Sequence, residues 1–250
     1  MKLGAIHRAR PGSVARLAAR SDLDGLRAPA ETDYFKKCPA DGDPLGNDLI
    51  GNCVPCSVLR EIQVRRTNAF GDEWKPTAPL TIPLYTKWSG FDPATGKPDE
   101  GCDTVLAMTS WATDGVWVNE QDLDIVTWVS VDHANLTHTK LAIFMTGAVG
   151  VTLAMPQAAQ DLSAWATAPG TGPDWAPASW GYHRVMSAKY SSDTFTVRTW
   201  GNDLVCHPEF WSRYVVAVDA TLSVRWFDTT GLAPPGLDWA ALKADMAQLA

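Results

Sequence analysis

One cysteine in this sequence is placed to do nucleophilic chemistry. The polar loop Asn47-Asp48-Leu49-Ile50-Gly51-Asn52 delivers Cys53 to Val54-Pro55-Cys56-Ser57-Val58-Leu59-Arg60-Glu61-Ile62. Pro55 falls where a helix's first turn tolerates a missing N–H. Val54, Val58, Leu59 and Ile62 recur at helical spacing and predict a helix over 53–67 with one apolar face. A thiol at a helix start meets unpaired N–H groups and the positive end of the macrodipole, and both favour the thiolate. The same N–H groups can hold an oxyanion beside the sulfur.

Such a thiol needs an imidazole to take its proton and return it to a leaving group. His183, about 130 residues later, sits in Ser179-Trp180-Gly181-Tyr182-His183-Arg184-Val185, which reads as the start of a strand over 179–190. Ser191-Ser192-Asp193 is a turn, and 194–200 alternates as a second strand. Closing that hairpin sets Tyr190 near Thr194 and His183 opposite 200–201. Thr199, Asn202 and Asp203 are then the polar candidates beside the imidazole. His133, His138 and His207 read as surface or structural, and Cys56 as a small core residue. Cys53-x-x-Cys56 with Cys206-His207 does not make a zinc site, because nothing pairs with it at finger spacing. Neither a metal nor an organic cofactor is expected.

The elements that position these residues follow from pattern and punctuation. Residues 1–33 form a basic extended arm, with a short helix over 13–20, and 34–250 form one domain. Helices are predicted at 80–88, 102–113, 136–146, 208–213 and 239–249. Strands are predicted at 122–131, 149–155 and 214–218, and a long surface loop at 162–179. With no repeat, heptad or clear linker, this is a helix-first, sheet-later α+β domain. The chain has 250 residues and a net charge of −7, but residues 1–20 hold five basic side chains and no acid. The rest carries 16 basic against 28 acidic groups, which argues against nucleic acid as the body's partner. Five cysteines and no apolar leader imply a reducing compartment and no signal-directed secretion. The longest mostly apolar run, 141–155, is too short for a membrane span. Twelve tryptophans imply a Trp-rich core.

Here the sequence resembles the papain-like cysteine peptidases, and more closely a divergent branch found in tailed bacteriophages and bacteria. That branch's N-D-x-x-G-D-C is met by Asn47-Asp48-Leu49-Ile50-Gly51-Asn52-Cys53, and its S-W-G-G-H-A-V by Ser179-Trp180-Gly181-Tyr182-His183-Arg184-Val185. Thr199-Trp200-Gly201 and Phe210-Trp211-Ser212-Arg213-Tyr214 meet the T-W-G and F-W-x-x-Y segments that follow. The resemblance runs from about residue 40 to the C-terminus. It implies a papain-like fold, Cys53 as nucleophile, His183 as general base and acid, and Asn47 as the oxyanion-hole amide. Papain has C-x-x-C-W with the second cysteine as nucleophile, but Cys53 is the one that keeps the spacing to Asn47. Papain also has an Asn before S-W-G, where this chain has Arg198 and Thr199. Thr199 and Asp203 both stand as the residue that orients the imidazole. Tyr182 and Arg184 replace small residues on either side of His183.

The function so implied is a phage-encoded thiol hydrolase acting on peptide or other amide bonds of a peptide or protein substrate. The alternative is a catalytically silent structural or attachment protein of a virion, its basic arm reaching onto other virion subunits. Either places the chain in the host cytoplasm or the virion.

Overall fold

The computed structural model describes residues 1–8, 16–20, 22–23, 25–118, 121–122, 125 and 127–247. The short β1 (Ala5–Ile6), α1 (Leu17–Arg20) and β2 (Thr32–Asp33) lead to the long α2 (Cys53–Phe70). Next come α3 (Ala78–Ser89), β3 (Cys102–Asp103), α4 (Thr104–Asp114) and the ribbon of β4 (Trp117–Val118) and β5 (Gln121–Asp122). The second half supplies β6 (Thr127–Val131), α5 (Leu136–Thr146), β7 (Val149–Met155), β8 (Gly181–Tyr190), β9 (Phe195–Thr199) and β10 (Asn202–Cys206). It closes with α6 (Pro208–Tyr214), β11 (Val215–Leu222), α7 (Val224–Thr230) and α8 (Trp239–Ala247). The sheet runs β10-β9-β8-β7-β11-β6, antiparallel throughout, with β2 also paired to β8. The architecture is the expected α+β order, helices first and antiparallel sheet second.

Two large cores lie on either side of the site. One gathers α2, α3 and α4 around Val54, Val58, Tyr85, Met108 and Trp111. The other lies against the sheet and includes Val151, Val185, Phe195, Trp211 and Tyr214. β7 is buried at every position, which is why its sequence is an unbroken run of small and apolar residues rather than an alternation.

Several elements differ from expectation for identifiable reasons. α2 does not present a single apolar face. Arg60, Glu61, Gln63 and Arg65 are buried as well, because the helix passes between the helical core and the sheet. It runs on to Phe70 and stops at Gly71, whose φ of 67° suits a left-handed cap. The helix expected from 102 starts at Thr104, because the Asp103 carboxylate caps it by accepting from the Val105 and Leu106 N–H groups. The stretch 162–179 is not a plain surface loop. It contains 3₁₀ turns, and Trp165 is fully buried, stacked on Phe210 at 5.1 Å. Tyr214 ends α6 instead of opening the last strand. β10 and α7 had no counterpart in the sequence reading. Parts of the helix expected at 13–20, the strand at 122–131 and the helix at 239–249 fall outside the described residues.

Candidate active site

Cys53 is the first residue of α2. The N-cap residue Asn52 does not cap the helix with its side chain. Its amide instead donates to the Leu45 carbonyl at 3.0 Å and to Thr81 Oγ1 at 2.8 Å, which pins the approach loop to α3. Cys53 Sγ accepts the Arg184 backbone N–H at 3.5 Å. The Gly4 and Val54 N–H groups also act on the sulfur. The residue directly after His183 therefore touches the Cys53 sulfur, and β8 is docked on the start of α2.

On β8, His183 is wholly buried. Its Nε2 lies 2.7 Å from Thr199 Oγ1, and its ring stacks on Trp200 with centroids 4.3 Å apart and planes 9° apart. A two-residue turn makes both contacts. Thr199 pairs with Asn202, and Trp200 and Gly201 between them have φ of 46° and 77°. Two successive positive φ values define the tight hairpin turn whose twist suits antiparallel strands. Gly201 is also needed for space, since a Cβ there would lie 2.3 Å from the Gly42 carbonyl carbon. Trp200 holds the left-handed conformation at a cost of roughly 1–2 kcal/mol, and its indole then lies flat over the imidazole.

The structure separates the two candidates for orienting His183. Thr199 holds Nε2. Asp203 faces Arg198 across the β9–β10 ladder and takes its guanidinium at 2.7 and 2.9 Å, so it is not on the imidazole. His183 Nδ1 is buried with no hydrogen-bond partner. Asn47 is buried, and its Nδ2 donates to the Ile50 carbonyl at 3.1 Å. Asn47, Cys53, Cys56, Arg184, Thr199 and Trp200 line one small cavity. Cys56 Sγ points at the Leu45 and Pro44 carbonyls, one turn into the helix. Among the described residues no cluster of His, Cys, Asp or Glu could hold a metal ion.

Residues 2–8 form a strap over the site, a feature the sequence did not reveal. The Lys2 N–H donates to the Asn47 carbonyl at 2.9 Å, and the Trp200 indole N–H donates to the Lys2 carbonyl at 3.3 Å. Leu3 lies against Gly181, and His7 meets the Tyr182 ring at 5.4 Å. β1 pairs in parallel with β3, and the Cys102 N–H donates to the Gly4 carbonyl at 2.8 Å. Gly4 is pressed so closely on Gly51 that a Cβ would meet the Gly51 oxygen at 1.8 Å. Lys2 and Arg8 pair with Asp99 and Asp103.

Burial, by the strap at Cys53 and by the sheet and Trp200 at His183, sets the electrostatics. Burial pushes the Cys53 thiol up to about 12, although the N–H groups on the sulfur and the Arg184 charge pull the other way. Burial also pushes His183 down to about 3. The sequence alone suggests a thiolate at the helix start. With the strap in place desolvation outweighs the helix terminus, and both groups rest neutral.

The fold is that of the papain-like cysteine proteases. Xylellain, a cysteine protease from Xylella fastidiosa, superposes with a TM-score of 0.65 at 14% identity, over 89% of this chain and 96% of that one. The Carica candamarcensis cysteine protease CMS1MS2, in complex with E-64, gives 0.54 at 13% identity, over 78% of this chain and 99% of its own. Digestive procathepsin L 3 of the Tenebrio molitor larval midgut gives 0.56 at 10% identity, over 86% and 76%. No protein-family model matches the sequence, and no curated protein matches it.

Proposed function

We propose that this chain is a thiol hydrolase that cleaves peptide or other amide bonds of a peptide or protein substrate. Cys53 loses its proton to His183 Nδ1 and attacks the carbonyl carbon. The α2 N-terminal N–H groups and the second amide hydrogen of Asn47 hold the oxyanion. His183 then protonates the leaving amine, and a water activated by the same imidazole releases the acyl group. Thr199 keeps the ring oriented through Nε2. One observation supports this reading above all. His183 is fixed by Thr199 and Trp200 with Nδ1 unpartnered, while the next residue's N–H lies on the Cys53 sulfur.

On this reading the strapped form is latent, and hydrolysis requires residues 2–8 to leave the cleft. The motif order supports a phage-encoded protein working in the host cytoplasm or carried in the virion. No described helix is long and apolar enough to cross a membrane.

The strap also gives a second reading its support. A site closed by backbone packing and holding a fully protonated thiol suits a silent structural or attachment protein of a virion, with the basic arm serving contacts to other subunits. Hydrolysis of a peptide library by the wild type and by Cys53→Ala decides between them. The hydrolase loses activity by a factor of about 10⁴ or more in the variant. A wild type without hydrolysis, whose Cys53 stays inert once the strap is displaced, supports the structural role.

A further inference from the structure

Arg184, a large side chain where the resembling branch has a small one, is wholly buried. Its guanidinium passes between three elements. Nη1 pairs with Asp219 of β11 at 2.8 Å, and Nη2 lies 3.8 Å from Glu61 of α2 and 3.3 Å from Met108 Sδ of α4. Room for it comes from Gly150 on β7, where a Cβ would stand 1.9 Å from Nη2. Glu61 is itself shared with Arg65 at 3.6 Å and takes hydrogen bonds from Ser57 and Thr221. Burying several charges costs several kcal/mol per ion before pairing. Such a cluster is costly unless its charges are paired, and here it lies against the residue whose N–H meets Cys53.

We propose that Arg184 is a positioning residue for Cys53: its backbone N–H meets the sulfur, and its guanidinium, partly compensated by Glu61 and Asp219, sets a buried positive charge beside the thiolate. The geometry is direct. The same residue supplies the N–H at 3.5 Å and lines the cavity that Cys53 lines. The charged and titratable groups around the pair are His183 on β8, Cys56, Arg60 and Glu61 on α2, Cys102 on β3, Asp43 in the approach loop and Asp219 on β11. The acids compensate Arg184, so weakening them strengthens its field at the sulfur.

The inference rests on Cys53 being the nucleophile, but thiol reactivity tests it without any hydrolysis. Iodoacetamide labelling of Cys53 is followed by mass spectrometry from pH 6 to 9 in the full chain. Labelling of Cys206, buried in the other core, serves as the internal gauge of unfolding. Glu61→Gln and Asp219→Asn are each expected to raise the Cys53 rate relative to Cys206 by about tenfold at fixed pH, the equivalent of a one-unit shift. Arg184→Met is expected to lower it by about tenfold, and Arg184→Lys to recover part of the loss. Opposite signs for the acid and the arginine variants support the assignment, because a merely structural role moves all of them the same way. No change, or a fall, in both acid variants overturns it, even if Arg184→Met does not fold. Opposite signs in a chain that hydrolyses nothing retain Arg184's role and reject the hydrolase.

Discussion

The two halves of the site are both buried, but by different means. Cys53 is covered by residues 2–8, a strap held by a two-residue β-pair, a few main-chain hydrogen bonds and two ion pairs. His183 is covered by its own sheet: Trp200 lies flat on the ring, Trp180 stacks on Trp200 at 5.9 Å, and Trp165 meets Trp200 edge-on at 6.2 Å. The first cover gives each core only an edge, Ala5 to the helical core and Leu3 to the sheet core. The second is part of a core. Removing the strap changes the thiol's environment and leaves the tryptophan stack in place, so activation on the proposed reading is an event on the Cys53 side.

The largest expected effect is on the strap. Gly4→Val puts side-chain atoms where the Gly51 carbonyl stands and displaces residues 2–8. A thiol falling from about 12 to its ordinary 9 gains three units, so Cys53 alkylation at neutral pH should rise on the order of 10³-fold. An unchanged rate would mean that the strap is not what buries the sulfur. The next effect tests the other half. His183 is held neutral to about pH 3, against 6.5 when unfolded. A cationic group with a depressed folded value contributes stability that is present above 6.5 and is lost as pH falls towards 3. Between pH 6.5 and 4 the wild type should lose about 3 kcal/mol more than His183→Gln in urea unfolding. Equal losses would show that His183 titrates freely in the folded protein.

How much of this was legible in the sequence follows the same division. Cys53, Asn47 and the start of α2 could be read because a loop, a nucleophile and a helical apolar pattern lie within some 16 residues. The strand carrying His183 could be read from alternation and a turn. The strap could not, because its contacts lie 45 to 198 residues away and Gly4 in a basic stretch looks like any flexible tail. The Trp200–Gly201 turn escaped because a tryptophan at positive φ breaks the usual Asn-Gly or Asp-Gly rule. It is tolerated where the ring is needed on the imidazole. The buried charges of α2 also broke the simple amphipathic reading. Arg60 is paired by Asp41 of the approach loop, Glu61 by Arg65 of the same helix and by Arg184 and Thr221 of distant strands, and Arg65 also by the Thr146 and Ala148 carbonyls, most of which lie outside a local window.

Thr199 and Asp203, equal candidates from sequence, differ sharply in place, and the smaller effects sharpen that difference. Thr199→Val keeps the shape but removes the oxygen at 2.7 Å from Nε2. A lost hydrogen bond of about 1–1.5 kcal/mol should lower kcat/KM roughly tenfold, with Thr199→Ser restoring most of it.

The smallest effect is that of Asp203→Asn. Asp203 is 27% exposed and pairs with an Arg198 that is almost wholly buried and also lies over the Phe35 ring at 4.2 Å. Screening at the carboxylate limits the worth of the pair, and the ring keeps part of the guanidinium's environment. The variant should lose about 1 kcal/mol of stability in urea and keep hydrolysis within a factor of two. The decisive comparison is with Thr199→Val assayed in parallel. A tenfold fall for Asp203→Asn would mean that the carboxylate acts on His183 through the hairpin turn, and that the ladder pairing Asp203 with Arg198 transmits orientation to the ring rather than merely holding β10 to β9.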